Sequence, residues 1–226
     1  MLLMKPCATM QNCVVQLVKD MAGYLELVIN MRGNAFLAVS GGRTPEHVFP
    51  LLAKQAVAWE KVSITLADER WVDTEHPDSN ERLARRLLLQ GPASRARFVG
   101  LKTDHQNPLD AEADVEAALT TLNWPLDALF LGMGEDGHIA SLFPDEKNWS
   151  DVPGLALAVA DSEKRQPRMS LTPAALLNSH HIFVVISGPE KRAILDAAMK
   201  PGPVGDYPIR LVLHQQRVPV TIYAVD

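Results

Sequence analysis

Val14, Leu17, Val18, Met21, Leu25 and Val28 recur at helical spacing, which predicts one amphipathic helix over residues 11–31, ended by Gly33-Asn34. The apolar run AFLAVS (35–40) reads as a strand. GGRTP then turns into a helix, with Thr44 expected as N-cap, Pro45 at the first helical position and Pro50 as a source of a kink. VSITLADE (62–69) reads as the next strand. A helix is expected from about Ser79, where Asp78 and Glu81 have capping-box spacing. ARFVGL (96–101) is a strand, Asn107-Pro108 opens a helix to about Leu122, and LDALFLGM (126–133) is a strand of the fully buried kind.

After a loop-like stretch beyond Pro144, LALAVA (155–160) and RMSLT (168–172) are shorter strands, and Thr172-Pro173 starts a short helix. HIFVVIS (181–187) is a strand, and Ser187 with Glu190 has capping-box spacing for a helix to Met199. VPVTIYAV (218–225) is the last strand. Strands alternate with helices, and the central strands are unbroken apolar runs. That pattern predicts an α/β fold: a largely parallel sheet, Rossmann-like, with helices on both faces. No repeat, linker or shift in composition divides the chain, so residues 1–226 are expected to form one domain.

Composition is ordinary for a globular protein, with 226 residues of which 47% are hydrophobic. The net charge of −5 leaves no basic footprint for nucleic acid. An anionic substrate would need a local cluster of cations. Two cysteines, Cys7 and Cys13, are too few for a disulfide scaffold and fit a reducing, cytoplasmic location. Residues 170–189 lack Asp, Glu, Lys and Arg but hold Pro173, Asn178, His180 and His181, a mixture unsuited to a membrane span. A soluble monomer is expected.

Ligands of open α/β sheets sit beyond the carboxyl ends of the strands. At those ends stand Ser40-Gly41-Gly42-Arg43-Thr44, then Asp68-Glu69-Arg70, then Gly134 to His138, then Ser187, Gly188 and Lys191. The Gly41-Gly42 turn suits an anion, because its backbone N–H groups and the following helix can face one ligand. Lys191 falls in the first turn of an expected helix, where a cation is disfavoured unless an anion binds beside it. His138 shares its loop with Glu135 and Asp136, either of which could orient the ring. His47 and His105 read as surface residues, whereas His76 is a candidate for the cleft.

Gly132, Gly134 and Gly137 spell the dinucleotide pattern G-x-G-x-x-G. That reading fails because Pro144 interrupts any following helix and because Glu135 and Asp136 would repel a pyrophosphate. AVSGG (38–42) is like a nucleophile elbow, with Asp196 and His214 in the order a serine hydrolase needs. However, its strand comes too early in the chain, and Asp196 has no reason to face His214.

Taken together, AVSGGRTP, LADERWV, DSN, LGMGEDGHIASLFP, RMSLT and SGPEK stand in the order and spacing of one family. The chain resembles the 6-phosphogluconolactonase family from about residue 11 to its C-terminus. The resemblance implies hydrolysis of 6-phospho-D-glucono-1,5-lactone in the oxidative pentose phosphate pathway, with no cofactor and no metal. It implies His138 as general base, Asp136 rather than Glu135 as its orienting acid, and Arg70 stabilising negative charge. Asp68 would hold Arg70 or a sugar hydroxyl. The phosphate would meet Ser40, Gly41, Gly42, Arg43, Thr44, Arg168 and Lys191, with Glu135, Gly137, Ser79 and Asn80 behind them. Arg43 departs from the family, which more often has serine there. The related glucosamine-6-phosphate deaminases characteristically have tyrosine at the position of Arg70 and a different run in place of residues 140–144. A sugar-phosphate sensor without turnover is the non-enzymatic alternative.

Overall fold

The computed structural model describes residues 1–144, 146, 149–150, 152–163 and 165–225. The stretch expected to loop after Pro144 includes 145, 147, 148 and 151, which lie outside the described residues. The strands are β1 (Leu2–Cys7), β2 (Ala35–Val39), β3 (Val62–Leu66), β4 (Asp68–Arg70), β5 (Arg97–Val99), β6 (Leu126–Gly132), β7 (Ala156–Val159), β8 (Arg168–Leu171), β9 (Ser179–Ile186) and β10 (Val220–Val225). The helices are α1 (Met10–Arg32), α2 (Pro45–Leu52), α3 (Asn80–Leu87), α4 (Pro108–Thr120), α5 (Pro173–Leu177), α6 (Pro189–Ala198) and α7 (Arg210–Leu213).

Seven strands form a wholly parallel sheet in the order β1-β10-β9-β6-β2-β3-β5. From β2 the chain winds outward to β3 and β5, then returns to β6 on the other side of β2 and winds on through β9 and β10. The topological switch point therefore lies between β2 and β6. β2 is buried throughout and β6 along all but its last residue, so both faces of the sheet are covered. Each of the six apolar residues that predicted α1 is buried, and Gly33 ends that helix with φ 84° and an N–H donated to the Ile29 carbonyl.

The structure corrects several expectations. Residues 62–69 are not one strand. β3 ends at Leu66, and β4 joins a separate antiparallel sheet in the order β4-β8-β7. Ala67 makes the transfer: its N–H donates to the Val39 carbonyl, and its own carbonyl accepts from the Leu171 N–H. β1 was not anticipated, because LLMKPC shows no clean alternation. It lies at the sheet edge, where Pro6 has no donor to lose.

Two helix starts differ by one residue from expectation. Ser79, not Asp78, caps α3 by accepting from the Arg82 N–H. Gly188, with φ 90°, stands at the cap of α6 in place of Ser187. Thr44 precedes α2 but is helical itself and makes no side-chain cap bond. Pro50 is accommodated within α2. Cys7 and Cys13 are joined by a disulfide, so cysteine usage no longer argues for a reducing compartment. Among the described residues, no helix is long and apolar enough to cross a membrane.

Candidate active site

A cleft of about 1040 Å³ opens beyond the carboxyl ends of β2 and β6, at the switch point of the sheet. Its size suits a small-molecule ligand. Ser40 to Thr44 form one wall, Asp68, Arg70, Asn80 and Arg168 another, and the loop carrying Glu135, Asp136 and His138 a third. Lys191 closes the ring from α6. Of the residues expected at the site, Ser79 and Gly137 do not line the cleft.

β4 shows why the second wall forms. Side chains alternate along a strand, so Asp68 and Arg70 face the cleft while Glu69 turns to the other side. There Glu69 is fully buried and accepts four hydrogen bonds. They come from the Asn80 N–H and the Glu81 N–H, both at 2.7 Å, the Arg70 N–H at 2.8 Å and the Ser79 hydroxyl at 3.0 Å. Burial pushes its carboxyl above the ordinary value, and the four donors oppose that shift. Glu69 thus ties the start of α3 to β4 and fixes Asn80 beside Asp68.

Asp68 accepts from the Ser141 hydroxyl at 2.6 Å, from Asn80 Nδ2 at 3.3 Å and from Arg168 at 3.5 Å. Its ion-pair partner is therefore Arg168, whereas Arg70 donates to the Asp78 carbonyl at 2.7 Å. Arg70 stands directly opposite Arg168 in the β4–β8 register. Like charges so placed are unfavourable. Burial draws the Arg168 guanidinium below its ordinary value, Asp68 acts against that, and Arg70 and Arg165 add to it. Ser40 Oγ, Arg70 Nε, Asn80 Oδ1 and Arg168 Nε are buried without a hydrogen-bond partner among the described residues. All four belong to residues that line the cleft.

The third wall is a tight turn after β6. The Gly134 N–H donates to the His138 carbonyl at 2.9 Å, and Gly137 bends the chain with φ 82°. A Cβ on Gly134 would overlap the His138 ring, so only glycine lets the imidazole fold back. His138 Nδ1 lies 2.6 Å from Asp136 Oδ1, which also accepts the His138 N–H at 3.0 Å. Burial opposes ionisation of Asp136, but the His138 hydrogen bond and charge and the backbone donors hold its carboxyl down to about 2. An ionised carboxylate can only accept, so the proton of the neutral ring sits on Nδ1 and Nε2 keeps its lone pair. Glu135 takes no part in this pair; it faces Arg43 across the mouth of the cleft at 3.4 Å, both side chains largely exposed.

Lys191 is half-buried. Burial and Arg43 draw its ammonium below the ordinary value, while Glu135 and Asp136 act the other way. Ser187 and Gly188, expected at a strand end, line the cleft too, and the structure adds His47, Met10, Ala140 and Glu190, which the sequence does not single out for it. His47 was read as a surface residue, and only the one-turn offset from Arg43 could have signalled otherwise. His76 is absent from the lining; its Nδ1 accepts the Asp78 N–H. The serine-hydrolase arrangement does not form, since Asp196 pairs with Arg192 and His214 Nε2 meets the Ala198 carbonyl.

The family described as glucosamine-6-phosphate isomerases/6-phosphogluconolactonase matches residues 8–221. A protein of Pseudomonas putida named 6-phosphogluconolactonase is 42% identical over 225 residues, covering 96% of this chain and 90% of that one. One of Mesorhizobium japonicum with the same name is 41% identical over 214 residues, covering 92% and 89%. The crystal structure of a 6-phosphogluconolactonase from Shewanella baltica is similar with a TM-score of 0.96 and 35% identity, covering 100% of this chain and 98% of that one. With its parallel sheet, its switch-point cleft and relatives of this similarity over nearly the whole length, the chain belongs to the glucosamine-6-phosphate isomerase/6-phosphogluconolactonase family.

Proposed function

We propose that the cleft hydrolyses 6-phospho-D-glucono-1,5-lactone to 6-phospho-D-gluconate, with His138 as the general base. The observation that carries the base assignment is the Asp136–His138 pair, which leaves Nε2 available at a cleft ringed by Arg70, Arg168, Lys191 and the Gly41-Gly42 turn. A lactone is an activated ester, so water, a base and a cation for the oxyanion suffice. His138 Nε2 accepts a proton as the water oxygen bonds to C1. The carbonyl electrons move onto oxygen, where Arg70 offsets the charge. When the oxyanion collapses, the bond from C1 to the ring oxygen breaks and that oxygen takes the proton from His138. The open-chain acid then ionises.

In this reading the phosphate is held by the Gly41-Gly42 turn, Ser40, Thr44, Lys191, Arg168 and Arg43. Asp68 faces a sugar hydroxyl, and Asn80 and Ser79 support that wall. The whole chain serves as one domain, a monomer working in the cytoplasm without nucleic acid or membrane; the net charge of −5 supports the lack of a nucleic-acid role.

The test offers the lactone and glucosamine 6-phosphate separately, following acid and ammonia release. Acid from the lactone alone is expected. Ammonia would identify a deaminase, and neither product a sensor. His138→Ala should cut hydrolysis by roughly 10²-fold or more with the fold intact by circular dichroism, and turnover near wild type would remove His138 as base.

A further inference from the structure

The run Ala140-Ser141-Leu142-Phe143-Pro144 has so far contributed Ala140 to the cleft lining and Ser141 to Asp68. Its geometry gives Phe143 a task as well. Ile139 and Leu142 form an isolated bridge, with the Leu142 N–H donating to the Ile139 carbonyl at 2.9 Å. Between them Ala140 takes φ 47°, in the left-handed region that a residue with a Cβ seldom enters. The turn sends the chain back on itself and lays Phe143 against the His138 ring, with ring centroids 4.6 Å apart and planes at 44°.

Phe143 is itself fixed. It is 5% exposed, and its carbonyl accepts from Trp149 Nε1 at 2.9 Å. The Arg165 guanidinium stacks on its ring at 3.9 Å and is held by Glu146 at 2.8 Å. His138 is therefore gripped from several sides: Asp136 on Nδ1, the bare backbone of Gly134 against the ring, and the Phe143 ring. A hydrogen bond to one ring nitrogen leaves the imidazole free to swing about that contact. A packed aromatic neighbour removes the freedom.

We propose that Phe143, backed by Arg165, is a positioning residue that holds the His138 imidazole in the orientation from which Nε2 meets the attacking water. The proposal rests on the reading of His138 as the base. A base displaced by a fraction of an ångström loses rate and not substrate affinity. The effect should therefore fall mainly on kcat: of the proposed phosphate contacts, Arg168 also meets the Phe143 ring, but at 5.4 Å and with Asp68 still holding it, so KM should change little.

The test compares Phe143→Leu and Phe143→Tyr in the full chain with the wild type. Carbon-bound proton resonances of His138, assigned by their disappearance in His138→Gln, should be displaced by the ring current in the wild type and in the tyrosine variant. In the leucine variant they should return toward the free-imidazole position. Phe143→Leu should lower kcat for the lactone about tenfold with KM changed by less than about twofold, and Phe143→Tyr should restore most of the loss. An unchanged kcat in the leucine variant, a loss confined to KM, or a tyrosine variant no better than leucine would each overturn the proposal. Should Phe143→Leu fail to fold, the wild-type spectrum decides, because undisplaced His138 resonances overturn it equally. Failure of the base assignment shows itself separately, as hydrolysis retained in His138→Gln.

Discussion

Asp136 and Glu135 are neighbours of the same charge, and nothing in their local spacing to His138 separates them. The fold does, by curling the loop until Asp136 reaches both the Nδ1 and the N–H of His138 while Glu135 points to Arg43. Asp136→Asn should cut kcat by roughly 10²–10⁴-fold, because an amide no longer enforces the Nδ1–H form, and steady-state kinetics on the lactone would check it. The same pair predicts a pH dependence of stability. Its carboxyl lies at about 2 when folded against an ordinary 3.8, so its contribution is present above about pH 4 and is lost as the pH falls toward 2. Urea unfolding of the wild type and Asp136→Asn between pH 6 and pH 2, taken as round limits, should show their difference shrinking over that interval. The difference itself should be small, since the carboxylate is 47% exposed. Lys191 belongs to the other end of the proposed substrate. Lys191→Ala should raise KM several-fold, on the order of one charge-assisted contact, and an unchanged KM would exclude it from phosphate binding.

Among the elements, β4 and α3 show how one carboxylate organises a wall. Asp68, Glu69 and Arg70 stand together in the sequence as three charged residues at a strand end. Only their place on a strand separates them, two toward the cleft and one toward the helix start. Glu69→Gln would set an amide N–H against backbone N–H groups in a fully buried place. A loss of about 2–4 kcal/mol is expected by urea denaturation, with a fall in kcat/KM as Asp68, Arg70 and Asn80 lose their frame. The periodicity of α1 and the apolar runs of β2, β6 and β9 were readable because each depends on residues near one another. The division of residues 62–69 was not, because the pattern runs unbroken through Ala67 while its hydrogen bonds go to two different sheets.

Across the whole molecule, the two cysteines and the cleft share an edge. The disulfide joins the end of β1 to the first turn of α1, and Met10, inside that loop, lines the cleft. Thiol titration of the denatured, unreduced protein should find no reactive thiol, and reduction should cost about 2 kcal/mol of stability for so short a loop. A free thiol count of two would return the argument for a reducing compartment. The sequence by itself determined the α/β class, most elements and the residue types at the strand ends, because turn glycines, proline starts and apolar runs act over a few residues. The tertiary structure alone decided that β2 and β6 lie side by side and that Arg168 faces Arg70. It alone paired Asp68 with a residue 100 positions away and laid Phe143 on His138. Those choices depend on strand order and register, which are settled by the packing of both sheet faces at once and by no local pattern.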